Sequence, residues 1–270
     1  MTDRTIIKNV KNTVDQVFCT SNKKAFIGFL TAGDPDADST VQFILEMERG
    51  GADLIEIGIP FSDPTAEGAV IQEANIRALR GGMTTDGVFD IVRRVREKSG
   101  IPLAFMTYLN PVFHYGYERF FAKCEELGVG AIIVPDLPYE EKAEVETPAA
   151  AHNVHVISMI APTSQARIQS IAKDAHGFIY VVSSMGVTGV RSEIKTDLES
   201  IVNSIREVTD IPCAIGFGIS TPEQAKKMAA VSDGAIVGSA IVKLIAKSGA
   251  QAGPEIYDYV KSMKDAVESL

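Results

Sequence analysis

Eight short apolar runs punctuate the chain, at 25–30 (AFIGFL), 54–57 (LIEI), 103–106 (LAFM), 131–134 (AIIV), 155–160 (HVISMI), 178–182 (FIYVV), 213–217 (CAIGF) and 235–238 (AIVG). Their length and β-rich content read as buried strands. Between them apolar residues recur at helical spacing, as in VQFILEMERGG after Thr40, ERFFAKCEELG after Tyr117 and PEQAKKMAAVS after Thr221. The last opens with a Thr-Pro helix start. Strand and helix therefore alternate, which demands crossover connections and a parallel sheet. Eight such units in about 250 residues is the size at which a sheet closes into a (β/α)8 barrel. An open doubly wound sheet is the competing arrangement. The N-terminal segment and the tail PEIYDYVKSMKDAVESL read as extra helices outside the repeat. No linker composition interrupts the chain, so residues 1–270 are expected to form one barrel domain.

Two connections break the rhythm by being long: GIPFSDPTAEGAVIQEANIRALRGG after the second run and SSMGVTGVRSE after the sixth. Both start at the C-terminal end of a strand, where a barrel carries its chemistry, and both are read as loops. Gly186 and Gly189 would make the second a flexible lid.

Within LIEIG, Glu56 alternates with Ile55 and Ile57, so it stands alone on the opposite face of an apolar strand. If that face is inward, the carboxyl is buried. The strand runs carry no Lys or Arg, and His155 is their one basic side chain. Burial without a cation raises a carboxyl toward neutrality, where it can both give and take a proton. An ion pair inside the barrel is the structural alternative, for which a partner is scarce. Asp63 and Glu67 in the second loop could reach the same mouth. Asp before Pro and an acid before Gly are also ordinary solvated turn chemistry.

The last two strands end in GFGIS, from Gly216, and GSAIV, from Gly238. Glycines there let backbone N–H groups approach an anion, and loops after strands 7 and 8 of such barrels often hold a phosphate. Ser239 could add a hydroxyl. The bland reading is two tight turns.

Composition narrows the remainder. A net charge of -9 offers no basic field for nucleic acid or anionic lipid, so any anionic ligand must be held by local geometry. The cysteines, Cys19, Cys124 and Cys213, lack metal or disulfide spacing and read as core thiols. No run reaches membrane-span length, and the N-terminus does not look like a signal peptide, which places the expected location in the cytoplasm. A strand lysine for Schiff-base aldol chemistry is missing, as are GxSxG and P-loop motifs. His152 and His155 straddle a turn without metal-ligand spacing on a helix face.

The motifs FLTAGDPD, LIEIGIPFSDPTAEGAVIQEANIRAL, VPDLP, SSMGVTGVR, GFGIST and VGSAIVK occur in this order on these strands. Together, from about Phe26 to Lys243, they resemble the tryptophan synthase alpha chain family. The resemblance implies a TIM barrel lyase of tryptophan biosynthesis that splits indole-3-glycerol phosphate into indole and glyceraldehyde 3-phosphate. It implies no cofactor in this chain, a pyridoxal phosphate-dependent beta chain as partner, and an alpha2beta2 heterotetramer. It places the catalytic glutamate at Glu56 and the second catalytic acid at Glu67, where the family usually has aspartate. The proline that normally follows the loop glycine is Ala69 here. Phosphate-gripping positions fall on Gly189, Phe217, Gly218, Gly238 and Ser239, and a lid residue on Thr188. Tyr180 falls beside the catalytic glutamate and Phe29 on the indole-pocket wall. Asp63, Asn110, Asp136 and Pro138 fall on the beta-chain contact surface. Two rival readings are a different phosphosugar isomerase or aldolase, and a weakly catalytic barrel acting mainly as an allosteric subunit of the beta chain.

Overall fold

The alternation along each apolar run separates two layers of core. In β1 (Ala25–Thr31), Ile27 and Phe29 point into the sheet's concave interior, whereas Phe26 and Leu30 pack outward under helices. The same phase holds in β2 (Leu54–Gly58), with Leu54 inward and Ile55 and Ile57 outward. A parallel sheet buried on both faces explains why these runs are apolar almost throughout. The computed structural model describes residues 12–19, 23–183 and 197–270.

The remaining strands are β3 (Leu103–Met106), β4 (Val129–Ile133), β5 (His155–Val156), β6 (Ser158–Ile160), β7 (Ile179–Val182), β8 (Cys213–Gly216) and β9 (Gly234–Val237). Every pairing is parallel, in the order β5-β4-β3-β2-β1-β9-β8-β7-β6. The fifth predicted run is thus split in two. β5 pairs with β4 and β6 with β7, while Ile157 between them donates its N–H to Ile132 O at 2.9 Å. The chain itself closes the circuit, so the expected eightfold barrel is present with nine strand segments.

Among the described residues the helices are α1 (Thr13–Val17), α2 (Ala37–Arg49), α3 (Ala69–Arg80), α4 (Thr85–Arg96), α5 (Leu109–Tyr115), α6 (Tyr117–Glu126), α7 (Lys142–Ala151), α8 (Gln165–Lys173), α9 (Leu198–Arg206), α10 (Pro222–Val231), α11 (Ser239–Ser248) and α12 (Gly253–Glu268). The Thr-Pro signal is borne out in α10, where Thr221 and Gln224 form a reciprocal capping box. The long connection after β2 is not all loop. Ile71, Ala74, Asn75 and Ala78 are buried at helical spacing, which folds most of it into α3 and leaves Ile59–Gly68 as the loop proper.

The expected C-terminal helix is α12, packed against α2 and α10, and the described part of the N-terminal segment forms α1. Val14 of α1 packs into the barrel interior, and buried Asn12 holds the helix there by donating to Gly130 O (2.7 Å) and Asn153 O (2.8 Å). In α12, Ile256, Val260, Met263 and Val267 are buried, and Lys264 reaches Asp53 at 2.6 Å. Cys124 and Cys213 are core thiols as expected. Cys19 is not: it follows the short α1 at the surface and is exposed.

Candidate active site

Parallel register puts the C-terminal ends of all strands at one mouth, and several of the residues singled out in the sequence gather there. Phe29, Glu56, Tyr180, Phe217, Gly218, Gly238 and Ser239 line one cavity, joined by Ile71, Met106, Ile219 and Ile236. Glu56 sits level with Phe29 on β1 and Ala104 on β3. Its inward phase matches the alternation reading.

Glu56 is 1% exposed, and its Oε1 has no hydrogen-bond partner among the described residues. Burial alone pushes its carboxyl up to about 8. Neutralisation by a proton, rather than by a cation, is the inexpensive state for such a group at neutral pH. Tyr180 lies close enough for the Glu56 charge to raise its hydroxyl further, after burial. The Tyr180 ring meets Phe217 edge-on with centroids 6.0 Å apart. Gly216 is required beneath it, because a Cβ there would come within 2.3 Å of the Tyr180 hydroxyl.

Glu67 departs from the solvated turn that its local sequence suggests. It is 5% exposed, and burial raises its carboxyl to about 7 against the opposing pull of a hydrogen bond from Asn75. The turn that carries it is fastened from several sides. Ala66 N–H donates to the Tyr108 hydroxyl (2.9 Å), Gln72 Nε2 to Glu67 O (2.7 Å), and Asn75 Nδ2 to Glu67 Oε2 (2.7 Å). Two residues beyond Asn75 on α3, Arg77 makes a bidentate pair with buried Asp34 after β1, at 2.8 and 2.7 Å. α3 is thereby tied to the barrel mouth on both sides of Asn75.

Tyr108, Asn75 and the Asp34–Arg77 pair are not among the residues singled out in the sequence. Asn75 left a signal, being an amide at an inward position of an apolar helical stripe. Tyr108 left a weaker one, an aromatic just past a strand end.

Gly238, which lines the cavity with Glu56, starts α11 without any side-chain cap. The first amides of that helix are therefore available to an anion. Gly218 and Phe217, both at positive φ (80° and 74°), turn the chain after β8 toward the same place. Thr188 and Gly189, with Gly186, lie outside the described residues.

Asp63, Asn110, Asp136 and Pro138 are all exposed on the rim. Asp136 accepts a hydrogen bond from Leu109 N–H at 2.9 Å, which ties the loop after β4 to the start of α5 beside Asn110. Of the histidines, His155 is engaged with Asp15 and His152 with Glu125. Among the described residues, no group of three or more His, Cys, Asp or Glu is placed to hold a metal ion, and no helix is long and apolar enough to cross a membrane.

A closed parallel barrel with a buried carboxyl and helix-start amides at its C-terminal mouth belongs to the TIM barrel class, which gathers its chemistry at that end. Within the class, residues 16–268 match the family model described as "Tryptophan synthase alpha chain". The chain belongs to the tryptophan synthase alpha chain family. It is 49% identical to the Lacticaseibacillus casei tryptophan synthase alpha chain over 248 residues, covering 92% of this chain and 93% of that one. The Lactiplantibacillus plantarum alpha chain is 48% identical over the same length, covering 92% and 94%. Among solved structures, the Legionella pneumophila alpha chain superposes with a TM-score of 0.86 at 33% identity, covering 96% of this chain and 98% of that one. A chain of the Pyrococcus furiosus tryptophan synthase a2b2 complex gives 0.81 at 34% identity, covering 89% and 98%.

Proposed function

We propose that this chain is a tryptophan synthase alpha subunit that cleaves indole-3-glycerol phosphate into indole and glyceraldehyde 3-phosphate and passes indole to a beta chain. The observation that carries the assignment of the chemistry is Glu56, a buried carboxyl without a cation in the same cavity as the amides of Gly218, Gly238 and Ser239. Near pH 7 a carboxyl raised to about 8 is mostly protonated, so it is a proton donor. It delivers that proton to C3 of the indole ring, and positive charge develops at N1. Glu67, as a carboxylate, stabilises that charge. The bond from C3 to the hydroxyl-bearing carbon then breaks, its electron pair returns to the ring, and the hydroxyl proton passes to Glu56 or a water. An aldehyde and indole result, with protons in balance.

The remaining residues take positions around this step. The α11 start and the turn at Gly218 receive the phosphate, with Gly189 assigned to the same group and Thr188 to the lid. Phe29 and Tyr180 line the same cavity as Glu56. Burial of Glu67 against Asn75 favours a catalytic barrel over a subunit that acts mainly by binding. The exposed rim of Asp63, Asn110, Asp136 and Pro138 is assigned to the beta chain in an alpha2beta2 assembly, with pyridoxal phosphate in that partner. The cytoplasm is the compartment assigned to it.

Incubation with indole-3-glycerol phosphate, with and without a beta chain, tests the proposal. Indole and glyceraldehyde 3-phosphate are expected in equal amounts. Absence of both products in both arms would reject it.

A further inference from the structure

Phe217 is held where an L-residue with a bulky side chain is rarely found. Its φ of 74° lies in the left-handed region, and among the described residues Asn153 is the other non-glycine with positive φ. Asparagine tolerates this region, whereas a phenylalanine stays there when its surroundings over-determine the conformation. The group that does so comes from the neighbouring strand. Ser183, just past β7, is 0% exposed; its N–H donates to Gly216 O at 3.0 Å and its hydroxyl to Phe217 O at 2.6 Å. One side chain and its own backbone thus grip two successive carbonyls of the turn.

The direction of that grip matters because a trans peptide is planar and its N–H points opposite to its C=O. With Phe217 O drawn toward Ser183, the N–H of Gly218 is turned the other way. Among the described residues nothing accepts this N–H. Gly218 lines the cavity together with Gly238 and Ser239 at the uncapped start of α11. A fixed N–H aimed beside a helix start is what an anion needs on its second side.

We infer that Ser183 is a positioning residue for phosphate recognition: its hydroxyl holds the strained Phe217–Gly218 peptide so that the Gly218 N–H faces the substrate phosphate. The inference rests on the phosphate placement proposed above. Ser183 does not touch substrate, so its loss weakens ground-state and transition-state phosphate binding alike. KM should therefore rise while kcat stays near its normal value.

The experiment measures competitive inhibition by inorganic phosphate, together with kcat and KM for indole-3-glycerol phosphate, in wild type, Ser183→Ala and Ser183→Thr. Loss of one hydrogen bond to a carbonyl weakens inhibition and raises KM by roughly tenfold in Ser183→Ala, with kcat within about twofold. Ser183→Thr keeps the hydroxyl and recovers most of the affinity. If Ser183→Ala does not fold, Ser183→Cys keeps the volume with a much weaker donor and shows the same direction of change. Unchanged phosphate inhibition in a folded Ala or Cys variant overturns the inference and leaves the phosphate site standing. A fall in kcat at constant KM also overturns it. If wild type itself is not inhibited by phosphate, the phosphate site and the role of Ser183 fall together.

Discussion

Replacing Glu56 by glutamine removes a titration from the barrel core, and the consequence for stability follows from its burial. The folded carboxyl lies at about 8 against 4.5 when solvated. A group whose folded value is raised binds more protons folded than unfolded, so stability falls as pH rises from 4.5 and levels off above 8. At 1.36 kcal/mol per tenfold change in proton affinity, the cost of Glu56 is about 1 kcal/mol at pH 5, about 3 kcal/mol at pH 7 and about 5 kcal/mol at pH 8.5. Glutamine has no proton to lose. The variant is therefore expected to exceed wild type in unfolding free energy by a margin that grows with pH over this interval. Urea denaturation followed by far-ultraviolet circular dichroism measures this directly, and the chain has no tryptophan to serve as a fluorescence probe. Slopes from surface groups remote from the barrel core are present in both proteins and cancel in the difference. A difference that stays constant from pH 5 to 8.5 would refute the claim that Glu56 is desolvated without a counter-charge.

The remaining predictions concern the second acid and the pH range of activity. Glu67→Ala should lower indole release by roughly 100-fold or more, the size of effect seen when one charge-stabilising group is lost, whereas Glu67→Asp should keep measurable activity. Full activity in the Ala variant would return Glu67 to the status of a turn residue. The pH dependence of kcat/KM should be bell-shaped. It should fall below about 7 as Glu67 takes a proton and above about 8 as Glu56 loses one, with both limbs belonging to the interacting site as a whole. Asn75→Leu removes the hydrogen bond that lowers Glu67, so its acid limb should move to higher pH; an acid limb that stays in place counts against that role.

What the sequence could announce and what it could not divide along a physical line. Period-two alternation reports which strand residues share a face, so the separation of Glu56 from Ile55 and Ile57 was legible, while the inward direction of its face came from the fold. Capping chemistry is local as well, and Thr221 with Pro222 marked the start of α10. The burial of Glu67 was not legible. An acid before glycine looks solvated, and it is Tyr108, Gln72 and Asn75, from separate positions, that enclose it. Cys19 failed in the opposite sense, because composition says that cysteines favour cores but not which one ends a short surface helix. The strained φ of Phe217 and the grip of Ser183 on it depend on two strands meeting in space. No single-chain pattern carries that information.

The most direct test of the account is indole release from indole-3-glycerol phosphate by Glu56→Gln, measured beside its inhibition by inorganic phosphate. Cleavage is expected to be abolished while phosphate inhibition remains within about twofold of wild type, since the amides proposed to hold the phosphate follow other strands. Near-normal turnover in this variant would contradict the assignment of the proton transfers to Glu56.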